Sequence, residues 1–186
     1  VGGVLIDGGK FDWLASEKFP TLSENYSGFH GMTFAEESPT LAFFLRARRE
    51  GIRDFGACMA PMTAFQILQG IETLSLRMEK HVSNTRQIVE FLAANRAVEA
   101  VSYPELPQHP DHELAKILLP KGCGAVFSFN IKGNRASGKR FIEMLKIFSH
   151  LANVGDAKSL VIHPASTTHF RMDEAALKSA GFTIGT

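Results

Sequence analysis

The stretch that decides the fold class is VEAVSYPELPQHPDHELAKILLPKGCGAVFSFNIK, residues 98–132. Its two β-prone ends, residues 98–103 and 125–132, predict strands because they are rich in branched and aromatic side chains. Residues 111–118 lie between these ends and predict a helix. Strands and helices that follow one another in this way are typical of an α/β sandwich, in which helices cover one face of a small sheet.

The same alternation continues toward the carboxyl end of the chain. Residues 139–148 predict a helix, because apolar side chains such as Phe141 and Leu145 recur at helical spacing. Residues 151–154 and 160–162 are strand-like. The region after Asn95 therefore predicts one small α/β domain.

The amino-terminal half has a different pattern. Residues 4–6 belong to the apolar run VGGVLID and predict a buried strand. Residues 16–40 show no steady period, which indicates a long ordered loop of the kind used for binding or for contact between subunits. Residues 40–50 predict a helix that Gly51 ends, and a longer helical pattern covers residues 61–95.

The longest predicted helix, residues 61–95, exceeds an average helix in length. Such a helix can leave one layer of a protein and enter another, so we divide the chain into two domains, residues 1–80 and 81–186. Val1 stands inside an apolar run, and the chain closes with the β-prone phrase GFTIGT. We therefore expect the chain to start in mid-domain and at least one further strand to follow it.

The charge balance argues against several classes of partner. The chain has 20 Lys and Arg against 19 Asp and Glu, a net charge of +1, so no summed field draws it toward nucleic acid or an anionic membrane. Cys58 and Cys123 lack the spacing of a zinc site, and a proline between His109 and His112 disfavours their convergence on a helix, so no metal site is predicted. We expect buried thiols in a reducing compartment. Because no apolar run reaches bilayer length, we expect a cytoplasmic protein.

A candidate binding turn begins at Asn153, which ends a predicted strand. Gly155 permits a tight turn, and small polar side chains with free amides at a strand end can hold a carboxylate. A surface turn with a capping Asp156 explains the same residues. The residues alone favour this second reading.

A second candidate is the loop ENYSGFHG, residues 24–31, which offers Tyr26 and His30 beside flexible glycines. It fits an active-site lid or a subunit contact, and it fits equally well a packed connector whose aromatic rings fill the core. The sequence pattern favours neither alternative over the other.

Four phrases together resemble one family. They are VGGVLIDGGKFDW, RDFGACMAPMTAFQILQGIETLSLRMEKH, HPDHELAKILLPKGCGAVFSFNIKG and FSHLANVGDAKSLVIHPASTTH. They are similar, in this order, to successive blocks of the Cys/Met-metabolism enzymes that depend on pyridoxal phosphate. The last phrase is most similar to that of the O-acetylhomoserine sulfhydrylases, and four ordered blocks are more specific than any single motif.

The resemblance implies a fold of the aspartate-aminotransferase type, fold type I. The chain would supply the end of the large cofactor domain and the smaller carboxy-terminal α/β sandwich, in an enzyme built as a tetramer. It also implies the formation of homocysteine from O-acetylhomoserine and sulfide in methionine biosynthesis, with pyridoxal phosphate as the electron sink. Cystathionine γ-synthase, cystathionine γ-lyase and methionine γ-lyase remain alternatives, and so does a non-catalytic assembly module.

The resemblance also indicates which site residues are present. The family's Schiff-base lysine lies in a Ser-x-Thr-Lys phrase before the GGV strand, and no lysine of this chain stands in such a phrase. We therefore predict no catalytic residue here and an inactive chain when it is alone. Asn153 matches a position, Ser in several relatives, that helps to hold the α-carboxylate of the amino-acid substrate. The loop with Tyr26 and His30 is placed to approach the site of a neighbouring subunit.

Overall fold

The structure is a computed structural model that describes residues 2–183 and 186. The chain divides into two compact units, Val1–Glu72 and Thr73–Thr186. The assignment of residues 1–80 to a large domain and 81–186 to a small domain stays a prediction, because compactness alone identifies neither domain. The β-prone phrase at the carboxyl end falls partly on residues 184 and 185, outside the described residues.

The first unit is helical. Its helices are α1, Pro20–Ser23; α2, Phe34–Glu37; α3, Ala42–Arg46; and α4, Pro61–Glu72. A short 3-10 turn, Ser27–Phe29, lies between α1 and α2, and a π-helical segment, Ala47–Asp54, continues α3. The predicted long loop is thus an irregular but ordered region that contains two short helices.

An aromatic core holds the first unit together. Its buried residues are surrounded by half-buried rings, and Trp13 stacks on Phe43 with 6.2 Å between the ring centroids. Burial of each large apolar side chain stabilises the fold by about 1.5–3 kcal/mol. The buried residues are Leu22, Phe34, Ala35 and Ala42.

The predicted strand over residues 4–6 is wrong. Residues 2–8 contain no regular secondary structure, and the side chains of Val4 and Ile6 are 79% and 84% exposed. A strand needs a neighbour for its backbone hydrogen bonds. Within the described residues the first unit has no other strand to supply them.

Two helix boundaries also differ from the prediction. The helix that Gly51 was expected to end runs on to Asp54, and the glycine that follows its end is Gly56, with a φ of +67°. Gly56 ends it because a left-handed residue lets the backbone N–H turn back to a helical carbonyl, here that of Ile52 at 2.8 Å. The long helix of residues 61–95 is two helices, separated at Thr73, whose ψ of 4° is not helical.

Over its described residues, the second unit contains helices and two separate pairs of strands. Strand β1, Val98–Ser102, pairs antiparallel with β2, Ser128–Ile131, and β3, Ser149–His150, pairs parallel with β4, Leu160–Val161. Its helices are α5, Leu74–Ala93; α6, His112–Leu118; α7, Arg135–Met144; and α8, Glu174–Ser179. The predicted α/β class is confirmed, but the single predicted sheet is two sheets.

Local boundaries in the second unit follow from capping. Helix α7 begins before the predicted residue 139, because the side chain of Asn134 accepts a hydrogen bond from the N–H of Ser137 and forms a capping box. The predicted strand over residues 151–154 is wrong, and the strand lies two residues earlier, in β3. Helix α5 buries one face, formed by Val82, Thr85, Val89 and Leu92.

A polar network centred on Glu105 joins α5 to the segment between β1 and β2. Its carboxylate accepts hydrogen bonds from Arg86 at 2.6 and 3.1 Å, from the hydroxyl of Tyr103 at 3.2 Å and from the N–H of Cys123 at 2.9 Å. The Tyr103 hydroxyl also lies 3.0 Å from the carbonyl oxygen of Gly124. The Arg86 guanidinium is the main reason why the pKa of Glu105 lies below its ordinary value. The network therefore fixes the residues just before β2 to a helix more than thirty residues earlier.

The two cysteines differ from the prediction of buried thiols. Cys58 is exposed, because it lies in the loop between the π-helical segment and α4, where little packs on it. Cys123 is partly buried, and this burial raises the pKa of its thiol. Among the described residues no helix is long and apolar enough to cross a membrane.

Candidate functional site

The turn after Asn153 is compact and open to solvent. The Asn153 amide donates a long hydrogen bond of 3.5 Å to the Asp156 carboxylate, and the N–H of Lys158 donates one of 2.9 Å to the same group. The Lys158 N–H is the main cause of a lowered pKa at Asp156. Gly155 adopts a φ of +91°, which residues with a side chain rarely adopt.

This turn fits the description of a surface turn capped by Asp156. A carboxylate ligand at Asn153 would compete with the negative charge of Asp156 for the same amide. Since the bond between Asn153 and Asp156 is long, releasing it costs little. By itself the turn is therefore an incomplete carboxylate site, because a further cation or donor is needed to hold such a ligand.

Tyr26 is anchored within its own unit. Its backbone N–H donates to the carbonyl of Met32 at 2.9 Å. Its hydroxyl interacts with the carboxylate of Glu50, and this interaction is the main reason why the pKa of Tyr26 is raised. The guanidinium of Arg46 lies 4.9 Å from the centre of the Tyr26 ring. The side chain therefore fastens the loop to the helix that follows it.

Arg46 is the centre of this arrangement. Its Nε donates to Glu50 at 2.6 Å, its Nη1 donates to the carbonyl of Thr21, and it also lies 5.6 Å from the ring of Phe34. The hydrogen bond from Arg46 is the main cause of the lowered pKa of Glu50. Two further arginines, Arg49 and Arg53, lie over the ring of Phe29 at 5.6 and 4.4 Å. Cation–π contacts of this kind stabilise the loop by about 0.5–1 kcal/mol each at exposed sites.

His30 lies at the exposed tip of the same loop. It has a φ of +54°, and among the described residues it is the one with a positive φ that is not a glycine. Gly31 follows it with a φ of +82°, so the chain reverses direction here. The structure thus places Tyr26 and His30 in one loop, but Tyr26 is engaged with Glu50 whereas the His30 side chain faces solvent. Asn153 belongs to the second unit.

Sequence reasoning missed Arg46 and Glu50. Their spacing of four residues on a predicted helix indicates an ion pair. This spacing does not predict the contact with Tyr26, which lies twenty residues before Arg46 in a loop without periodicity. The aromatic residues of that loop could have predicted a contact with an arginine, because arginine side chains stack on such rings.

Two cavities lie beside Arg46. One has a volume of about 500 Å³ and is largely apolar, with Trp13, Phe43 and Phe55 among its walls, and the other has a volume of about 220 Å³ and is lined by Asn25 and Tyr26 among others. The indole N–H of Trp13 is buried and has no hydrogen-bond partner among the described residues. Thr21 and Arg46 border both cavities.

The described residues do not fit pyridoxal phosphate. The cofactor needs a lysine for its aldehyde and an excess of donors for its phosphate. Every lysine of the chain is exposed, and among the described residues none lines either cavity. Arg46 is the one arginine among the described residues that line the cavities, and it is already bonded to Glu50, whose negative charge opposes a phosphate. No group of three or more potential metal-binding side chains occurs in the described part of the chain.

The chain belongs to a known family of enzymes. The sequence profile of the family described as Cys/Met metabolism PLP-dependent enzyme matches residues 1–185. Similar proteins include the homocysteine synthase of Schizosaccharomyces pombe, 46% identical over 98% of this chain, and O-acetyl-L-homoserine sulfhydrylase 1 of Thermus thermophilus, 44% identical over 97% of it. The resemblance stated from the four phrases is confirmed.

A solved structure supports the fold. It is that of a protein from Campylobacter jejuni described as O-acetylhomoserine (thiol)-lyase and carrying a pyridoxyl-lysine phosphate, and it matches 89% of this chain with a TM-score of 0.74 and 33% identity. The predicted fold, that of the pyridoxal-phosphate enzymes of fold type I, is confirmed. The chain spans 43% of the length of the two curated relatives named above and 39% of that structure.

Proposed function

We propose that this chain is the carboxy-terminal portion of a pyridoxal-phosphate-dependent O-acetylhomoserine sulfhydrylase, which forms homocysteine from O-acetylhomoserine and sulfide. The observation that carries the proposal is the identity of 44–46% to a homocysteine synthase and an O-acetyl-L-homoserine sulfhydrylase over nearly the whole chain. The exposure of every lysine agrees with it, because the lysine that binds the cofactor then belongs to the rest of the enzyme. The chain alone is inactive in this proposal.

Within the longer enzyme the Asn153 turn binds the α-carboxylate of the substrate. The amide of Asn153 changes its partner from Asp156 to this carboxylate, and a cationic side chain from outside the chain balances the charge of Asp156. His30, at the tip of its loop, contacts the site of a neighbouring subunit, and Tyr26 holds that loop in place. The enzyme is a cytoplasmic homotetramer that acts on small amino acids.

The assay that tests the reaction uses the full-length product of the gene. Purified enzyme is supplied with O-acetylhomoserine and sulfide, and separately with O-acetylhomoserine and cysteine or with methionine. We expect homocysteine to form fastest from the first pair. Consumption of methionine alone would show that the enzyme is a γ-lyase, and a product only with cysteine would show that it is a γ-synthase.

The role of Asn153 is tested by Asn153→Ala in the full-length enzyme. Loss of a hydrogen bond to a charged group costs about 1.5–3 kcal/mol, so KM for O-acetylhomoserine should rise roughly tenfold or more. The matched control is Asn84→Ala, at an exposed position on α5, which should leave KM unchanged. Equal KM values for the two variants would remove Asn153 from the site.

A further inference from the structure

Two arginines of the π-helical segment lie over one aromatic ring. The guanidinium carbons of Arg49 and Arg53 lie 5.6 and 4.4 Å from the centre of the Phe29 ring. Because both distances are measured from the same point, the two carbons are separated by at most the sum of these distances. Tyr26 stacks on this ring as well, with 6.0 Å between the ring centroids. Two positive groups are therefore held side by side on one small aromatic surface.

The positive charge at this surface is not balanced by the acidic residues nearby. Residues 46–54 contain four arginines but only one glutamate and one aspartate. Glu50 is bonded to Arg46 at 2.6 Å, and Asp54 accepts a hydrogen bond of 2.8 Å from Nε of Arg53. Among the described residues no carboxylate pairs with Arg49. Since like charges four residues apart repel each other, an anion between Arg49 and Arg53 would stabilise the folded segment.

The ring contact prepares both arginines for an anion. A guanidinium that lies over a ring uses its flat face, and its N–H groups at the edge of the plane stay available for hydrogen bonds. The arginine fork matches the oxygen atoms of a phosphate or a carboxylate. Arg53 is 57% exposed along its side chain, and Arg49 is also exposed, so solutes in water can reach both.

We propose that Arg49 and Arg53, held over Phe29, bind a small phosphate-type dianion, which is either inorganic phosphate or the phosphate group of a small ester. Two neighbouring guanidiniums match the double negative charge, whereas a single carboxylate would leave one of them unbalanced. The whole chain has a net charge of only +1, so the positive surface is local and suits a small ligand better than a polyanion. The site consists of residues of this chain and does not depend on the proposed reaction.

Calorimetric titration of the full-length protein tests this site. The protein is first saturated with pyridoxal phosphate, so that the phosphate site of the cofactor is filled, and the ionic strength is fixed with sodium chloride. We expect inorganic phosphate or glycerol phosphate to bind saturably, one per chain, with a Kd of about 1 mM or tighter. The probe that binds more tightly identifies the source of the phosphate group. Absence of saturable binding for both probes would overturn the proposal.

A pair of matched substitutions assigns the binding to Arg49. Arg49→Gln should raise the Kd for inorganic phosphate about tenfold or more, because a charge-assisted hydrogen bond is lost. The control is Arg48→Gln, which removes the same charge from an exposed position of the same segment. Among the described residues Arg48 lies over no aromatic ring. Its Kd should stay within about twofold of the unmodified protein, since exposed charges are screened by salt. Equal changes in the two variants would overturn the proposal, because they would show only a diffuse effect of charge.

A conservative variant separates the binding from the stability of the loop. Arg49→Lys keeps the positive charge but has no planar fork, so the Kd should lie between those of the unmodified protein and Arg49→Gln. Its unfolding midpoint should stay within about 2 °C of the unmodified protein, as for most surface substitutions. Unchanged phosphate affinity in both Arg49 variants would overturn the proposal, whatever their midpoints.

Discussion

Helix α7 packs closely against the loop after β4 at Gly138, which has no side chain. A Cβ placed on Gly138 would lie 2.5 Å from Nε2 and 2.7 Å from Cδ2 of His163. His163 is 2% exposed, and its Nδ1 lies 2.8 Å from the hydroxyl of Ser166, so the ring has no room to move away. Glycine is required here because of close approach, not because of backbone conformation.

Gly138→Ala should therefore destabilise the chain by about 1–3 kcal/mol, as overpacking of a filled site does. The measurement is the free energy of unfolding in urea. The control is Gly70→Ala in α4, where nothing lies within 4 Å of an added Cβ. That variant should gain about 0.5–1 kcal/mol because alanine favours a helix interior. Equal effects of the two substitutions would refute the close contact.

At the scale of residues, sequence selects candidates but not their partners. Tyr26 and His30 were both selected as loop residues, and only the fold shows that Tyr26 binds Glu50 while His30 faces solvent. The bond partner of Tyr26 depends on how an aperiodic loop folds around Phe34, and no local pattern encodes that path. Asn153 was selected by its resemblance to a family motif, and its hydrogen bond to Asp156 supports the alternative interpretation, a capped surface turn.

At the scale of elements, the polar network of Glu105 joins α5 to the residues before β2. Burial raises the pKa of Tyr103 from 10.0 to about 12, and the negative charge of Glu105 adds to this effect. The protonated hydroxyl is favoured in the folded chain, because burial and the nearby carboxylate both disfavour the charged phenolate. This network is therefore stable at neutral pH and sensitive to alkali.

Stability should fall as the pH rises from 10.0 to about 12. In this window the unfolded chain loses the Tyr103 proton while the folded chain retains it, so the unfolded state is favoured, and the contribution is complete only below pH 10.0. The measurement is the urea midpoint against pH for the unmodified chain and for Tyr103→Phe, which has no proton to lose. The variant should show a shallower decline, and parallel curves would contradict this role of Tyr103.

Sequence predicted elements well where their signals are local. The helix predicted over residues 111–118 is α6, His112–Leu118, since Asp111 precedes an apolar periodic run. The prediction over residues 4–6 was wrong because a strand is not a local property and requires a neighbour. The expected stop at Gly51 was wrong for a related reason, since a glycine ends a helix only where its φ is positive, as at Gly56.

At the scale of the whole molecule, the partial coverage of the relatives' length agrees with the lack of a cofactor-binding lysine at the described cavities. The chain matches the family over residues 1–185, but it covers less than half of the length of the relatives named above. Its lysines are exposed and its larger cavity is apolar. The family and the fold class could be read from sequence because four ordered phrases extend over the chain, whereas the separation of the sheet into two pairs could not, because strand pairing depends on contacts distant in sequence.

The central claim is that these residues form a scaffold which does not itself bind the cofactor. The most direct test is to incubate the purified 186-residue chain with pyridoxal phosphate, dialyse it and record its absorbance. The chain is then reduced with borohydride and its intact mass is measured by mass spectrometry. We predict no absorbance band after dialysis and no pyridoxyl group on any lysine. A band that survives dialysis, with one pyridoxyl group per chain on a single lysine, would contradict the account.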